Sequence, residues 1–94
     1  MTYKLAFLED ALKEWERLAP SVRTQFKKKL AERCEAPRVP SARLSGAKDR
    51  YKIKLRKAGF RLVYEVHGEV ITIVVVAVGK RERNAVYKMA AKRV

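Results

Sequence analysis

Val70-Ile71-Thr72-Ile73-Val74-Val75-Val76-Ala77-Val78 is the stretch that decides the fold. It is nearly all apolar and mostly β-branched, the composition of a central strand covered on both faces, and it predicts the spine of a sheet. Working back toward the amino terminus, His67-Gly68-Glu69 supplies a turn. Before it, residues 60–66 alternate, with Phe60, Leu62, Tyr64 and Val66 facing one side and Arg61, Val63 and Glu65 the other. Lys57-Ala58-Gly59 turns the chain once more. Tyr51-Lys52-Ile53-Lys54-Leu55-Arg56 then alternates apolar and cationic residues without exception, which makes a third strand with Lys52, Lys54 and Arg56 on one face.

The amino-terminal part reads as one strand and two helices. Tyr3, Leu5 and Phe7 alternate with Thr2, Lys4 and Ala6 as a short strand. Asp10 or Glu9 can cap a helix carrying Ala11, Leu12, Trp15, Leu18 and Ala19 on one stripe, with Glu14 and Arg17 on the wet side, and Pro20 breaks it. Ser21 suits the N-cap of a second helix, in which Val22, Phe26, Leu30 and Cys34 recur every fourth residue until Pro37 and Pro40 stop it. Residues 37–50 read as a connecting loop. After Gly79, residues 84–93 form a last helix that looks weakly anchored, with Val86, Met89 or Ala90, and Arg93 or Val94 on one side. The expectation is a single α+β domain over residues 1–94: an N-terminal strand, a two-helix hairpin, a three-stranded antiparallel meander completing a four-stranded sheet, and a short C-terminal helix.

Charge says where to look for a site. Residues 1–40 hold nine Lys and Arg against six Asp and Glu, whereas residues 41–94 hold fourteen against four, so most of the net charge of +13 lies in the second part. A pI near 10.3 in so short a chain predicts salt-dependent binding to nucleic acid. An anionic membrane is the competing partner, but the chain has no apolar run near the ~20 residues needed to span and no basic amphipathic helix edged by Trp or Phe. The amino terminus is too soon charged for a secretory signal, so cytoplasm is the expected compartment. Cys34 is the single cysteine and His67 the single histidine, which leaves no metal-ligand cluster of ordinary spacing. No cofactor is expected.

A cationic face can merely bind, and the residues for cleavage by ordinary acid and base are missing. His67 sits in a turn between Glu65 and Glu69, carboxylates are too few for a two-metal site, and there is no Gly-rich phosphate loop. RNA offers a way around this, because its own ribose 2′-hydroxyl is the nucleophile and needs only deprotonation, charge stabilisation and help for the leaving 5′-oxygen. Lys52 and Lys54, two apart on one strand face with Arg56 and Arg61 nearby, are crowded enough to favour the neutral amine of one lysine. Arg61 and Arg81 present planar forks for developing phosphate charge, and Tyr87, one helical turn after Arg83, can stack a base. A solvated strand face and a core tyrosine are the bland alternatives for the same residues.

Taken in order, Ala11-Leu12-Lys13-Glu14-Trp15, residues 51–56, Gly59-Phe60-Arg61-Leu62-Val63-Tyr64 and Val78-Gly79-Lys80-Arg81-Glu82-Arg83, closed by Val86-Tyr87, closely resemble the RelE toxins of bacterial toxin-antitoxin systems. The resemblance spans nearly the whole chain. It implies the RelE or microbial-RNase-like form of the α+β fold and a metal-independent endoribonuclease, an mRNA interferase that cuts messenger RNA in the ribosomal A site and so inhibits translation. It implies Lys52, Lys54, Arg61, Arg81 and Tyr87 as the catalytic set, with Arg56, Lys80 and Arg83 contacting RNA. On that pattern Lys54 is the general base, with Tyr87 left open as the alternative. Arg81 is the proton donor or leaving-group stabiliser, Lys52 and Arg61 hold the phosphate, and Tyr87 stacks and orients. One departure is Ser45, where family members often carry arginine, which removes a peripheral RNA contact.

The resemblance also implies a RelB-type antitoxin whose acidic, disordered segments wrap the toxin and displace the last helix, and operator DNA bound only through that antitoxin. Two other readings of the chain are a gyrase-poisoning toxin of the same fold, as in the ParE proteins, and a non-catalytic RNA- or ribosome-binding module.

Overall fold

The computed structural model describes residues 2–46, 48–82 and 84–93. In chain order its elements are β1 (Lys4–Phe7), α1 (Glu9–Glu16), α2 (Pro20–Glu35), β2 (Arg50–Leu55), β3 (Phe60–His67), β4 (Thr72–Lys80) and α3 (Ala85–Lys92), with 3-10 turns at Pro40–Ala42 and Gly68–Val70. The strand order is β1-β4-β3-β2. β4 is thus interior, antiparallel to β3 and parallel to β1, while β2 closes the far edge. The α1–α2 hairpin carries the chain from β1 at one edge to β2 at the other, and the meander then brings β4 back parallel beside β1.

Each face of β4 meets its own apolar layer. Toward the helical hairpin, Ile73, Val75 and Val78 join Trp15, Phe26, Leu30, Leu62 and Tyr64. Toward α3, Val76 and Ala77 join Val63, Val86 and Ala90. Consecutive Val76 and Ala77 share a face because the β3–β4 register slips: Val63 pairs with Ala77 and Tyr64 with Val75, leaving Val76 as the extra residue of a β-bulge. From that point on the alternation of β4 is inverted.

Several expected boundaries move, each for a local reason. Pro20 does not break α1, which has already ended at Glu16; it opens α2 at the first helical position, where its missing N–H costs nothing, and Ala19 rather than Ser21 is the N-cap. Leu8 is the N-cap of α1, so Glu9 and Asp10 lie inside the first turn, where their charge complements the helix dipole without capping it. Leu12 is 42% exposed, outside the buried stripe of Ala11 and Trp15. Glu14, expected on the wet side, is half-buried and accepts hydrogen bonds from the Val78 N–H at 3.3 Å and from Arg93. β4 starts at Thr72, after a left-handed Ile71 (φ 48°), rather than at Val70. β2 runs from Arg50 to Leu55, one residue earlier than the alternation suggested.

A buried tyrosine ties hairpin to sheet. The Tyr64 hydroxyl donates to the Pro37 carbonyl at 2.7 Å and accepts from Arg33 Nη1 at 2.9 Å, and Arg33 also reaches the Lys52 carbonyl at 3.2 Å. Tyr64→Phe keeps the ring but orphans the Pro37 carbonyl and a charged donor. It is expected to destabilise the fold by about 1–3 kcal/mol in a denaturant titration; an unchanged midpoint would show that water replaces the hydroxyl freely.

Candidate active site

The alternation of β2 hands Tyr51, Ile53 and Leu55 to the hairpin-side core and leaves Lys52 and Lys54 on the α3 side. Register then places Lys54 directly across from Arg61, and Arg61 across from Gly79. Like charges in directly opposed positions repel, so the sheet holds these cations together at a cost met by its packing. Arg81 is fixed beside them by its backbone, whose N–H donates to the Gly59 carbonyl at 2.7 Å. Gly59 itself adopts φ +74° to close the β2–β3 turn, a conformation that side-chain-bearing residues adopt only with strain.

The result is an open cleft of ≈ 280 Å³ lined by Lys54, Leu55, Arg56, Phe60, Arg61 and Arg81. Among the described residues, none of these cleft cations forms an ion pair; Glu9, Glu14, Asp49 and Glu65 pair with other basic side chains. The Lys54 ammonium is consequently pushed below the ordinary lysine range, first by the neighbouring Lys52 charge, then by desolvation, then by Arg61, Arg56 and Arg81. Among the described residues, no His, Cys, Asp or Glu cluster could hold a metal ion. No helix of the described residues is long and apolar enough to cross a membrane.

α3 completes the site from the other side. The Arg61 guanidinium lies 5.0 Å from the centroid of the Tyr87 ring, and its Nη1 donates to Asn84 Oδ1 at 2.9 Å. Among the described residues, Arg61 Nε and the Tyr87 hydroxyl are both buried without a hydrogen-bond partner. Burial pushes the Tyr87 phenol up, with Arg61 opposing, so Tyr87 holds its proton more firmly than a free tyrosine. A Cβ at Gly79 would already touch Val86 Cγ2 at 3.5 Å, so α3 sits close over the strand at this point.

The structure therefore brings Lys52, Lys54, Arg56, Arg61, Arg81 and Tyr87 into one neighbourhood. Lys80 is different: it pairs with Phe60, on the opposite face of the pleat from Arg61 and Gly79, and is exposed. Arg83 lies outside the described residues. His67 ends β3, exposed, with Nε2 3.2 Å from Glu65 Oε1 and away from the cleft. Sequence reasoning missed Asn84, whose left-handed backbone (φ 60°, ψ 25°) at the start of α3 turns its amide toward Arg61. An Asn ahead of a helix was the available signal, because Asn tolerates that conformation and commonly caps.

A sequence profile of the family described as the ParE toxin of type II toxin-antitoxin system, parDE, matches residues 5–85. A putative RelE-like toxin protein from Escherichia coli is 57% identical over 93 residues, covering 99% of this chain and 98% of the relative. The mRNA interferase toxin RelE of E. coli strain K12 is 53% identical over 94 residues, covering 100% and 99%. Among solved structures, a double arginine-to-alanine mutant of E. coli toxin RelE in the free state superposes with a TM-score of 0.91 at 51% identity, covering 100% of this chain and 99% of that one. A chain of the intact E. coli RelBE toxin-antitoxin complex gives 0.82 at 53% identity, covering 86% and 99%. The chain belongs to the RelE/ParE family of toxins from type II toxin-antitoxin systems.

Because Lys52 is the leading cause of the Lys54 shift, Lys52→Met should move the Lys54 titration upward toward the ordinary lysine value of about 10.4, as followed by NMR of the lysine side chains. The sign follows from charge: a vanished positive neighbour favours the ammonium. An unmoved Lys54 titration would show that crowding is not what perturbs it.

Proposed function

We propose that this chain is a metal-independent endoribonuclease, an mRNA interferase that cleaves message within the A site of the bacterial ribosome and is neutralised by a RelB-type antitoxin. The observation that carries the reading is the juxtaposition of Lys54 and Arg61 across β2 and β3, with Arg81 at the same cleft and Tyr87 stacked on Arg61.

The proposed reaction uses the message's own ribose. The 2′-oxygen attacks the adjacent phosphorus as its proton passes to the neutral amine of Lys54, forming the O2′–P bond while the P–O5′ bond breaks. Products are a 2′,3′-cyclic phosphate and a 5′-hydroxyl, the latter taking its proton from solvent. Lys52 and Arg61 face the non-bridging oxygens, and Arg81, permanently charged, stabilises the departing 5′-oxygen. Tyr87 acts through its ring. Its raised phenol leaves less phenolate to act as a base, whereas the depressed Lys54 leaves more neutral amine.

Such a site has strong electrostatics but no acid and base pair to compensate for poor geometry, so the substrate must arrive already posed for in-line attack. That favours a codon held by the ribosome over free RNA. A basic cleft also suits an acidic wrapping partner, with operator DNA reached through the antitoxin and the cytoplasm as the place of action.

Primer extension on a short message in purified bacterial ribosomes tests this. Wild-type protein should generate ends within the A-site codon bearing cyclic phosphate, and free message should stay largely intact. Arg81→Ala should slow cleavage by about 10²–10³-fold, the effect of losing one electrostatic stabiliser. Uncut message with arrested translation, or double-strand DNA breaks with intact message, would overturn the proposal.

A further inference from the structure

Arg50 is a charged side chain only 7% exposed, and the cleft makes no use of it. It opens β2 opposite Glu65 of β3, and its Nε donates to Glu65 Oε2 at 2.8 Å. Its other donors leave the sheet altogether: Nη1 donates to the Ala90 carbonyl and Nη2 to the Arg93 carbonyl, the latter at 2.6 Å. These are carbonyls at the C-terminal end of α3, where helical partners run out and the dipole is negative. A planar fork reaches Glu65 and both carbonyls together; a lysine ammonium is a point donor that does not. Glu65 supplies the counter-charge without which a buried guanidinium would be costly.

Besides Arg50, the other fixing at this end of α3 is Arg93, whose guanidinium binds Glu14 and the Val76 carbonyl but leaves the helix carbonyls to Arg50. α3 is eight residues long, too short to persist alone, and its buried residues, Val86 and Ala90, are small. At its start Asn84 meets Arg61; at its end Arg50 holds the backbone. Tyr87 lies between these two fixings, so the placement of its ring over Arg61 depends on both.

We propose that Arg50, braced by Glu65, is a positioning residue for the cleavage reaction: it caps α3 from the sheet and thereby sets the Tyr87 ring on the Arg61 guanidinium. The catalytic part of this rests on the interferase reading; the geometric part does not.

The test separates the two. In the full-length chain the Arg61 Nε–H, buried against Tyr87, should give a protected, ring-shifted NMR resonance. The double variant Arg50→Leu with Glu65→Leu exchanges the ion pair for apolar side chains, a change that commonly preserves stability. It should melt near the parent yet lose the shifted Arg61 resonance. On programmed ribosomes its kcat should fall by about 10–10²-fold, with KM changed by less than about twofold. Arg50→Lys, which keeps the charge beside Glu65, should show the same losses and decides the matter should the double variant unfold. A wild-type Arg61 resonance in the folded variant, or parental kcat, would overturn the proposal. If the wild-type chain cleaves no message, the interferase reading fails while the resonance still reports on Arg50.

Discussion

One unpaired residue in β4 governs which side chains face the cationic cleft and α3. Up to Val75 the odd-numbered residues of the strand face the helical hairpin; Val76 is the bulge, and beyond it Ala77 and Gly79 face α3. Without that slip Gly79 would point into the hairpin-side core and Val78 would occupy its place beneath α3. At that place Gly79 packs under Val86 of α3 and lies directly across from Arg61. The bulge thus lets one central strand put Val78 against the hairpin and Gly79 against α3.

The scarce carboxylates complete the electrostatic picture by where they are used. Asp49 binds Arg38 and Arg43, Glu65 binds Arg50, and Glu14 binds Arg93, all outside the cleft. Burial would raise the Asp49 carboxyl, but hydrogen bonds from Tyr51 and Arg38 and the charges of both arginines outweigh it and hold the group below its usual value. Each pair fastens a loop or terminus: Asp49 the segment before β2, Glu65 through Arg50 and Glu14 through Arg93 the C-terminal end of α3. Arg38, Arg43, Arg50 and Arg93 are neutralised by carboxylates while the cleft cations are not, so positive charge is expressed at the cleft. The last helix, which its composition suggested is weakly anchored, is held by two guanidiniums, those of Arg50 and Arg93.

What could be read from the chain depended on whether a residue's role follows from local period. Alternation in residues 51–56 and 60–66 exposed the cationic face, and the four-residue recurrence of Val22, Phe26, Leu30 and Cys34 exposed the buried side of α2. The bulge was illegible because residues 70–78 are apolar in either phase, so nothing in their pattern marks the inversion. Pro20 was ambiguous because the same ring that ends one helix can begin the next. Arg50 and Glu14 were hidden for a different reason: charge ordinarily signals exposure, and their partners stand 43 and 79 residues away at Arg93.

The division of labour between Lys54 and Tyr87 follows from the same separation of environments. Lys54 stands on an open edge among uncompensated cations, which destabilise its charged form; Tyr87 lies under protein atoms, which destabilise its charged form too, but for a phenol that means keeping the proton. Crowding and burial thus push the two groups toward opposite duties on the proposed reaction path. Lys54 is biased toward the neutral amine that a general base must start from, and Tyr87 toward a neutral aromatic surface on which a base or a guanidinium can rest. Arg61, between them, is the physical link: one cross-strand neighbour is the amine whose proton affinity it lowers, and one face is covered by the ring. Displacing α3 would remove the ring and the Asn84 contact from Arg61 while leaving Lys54 and Arg81 in place, so the site can lose its stacking surface without losing its charge.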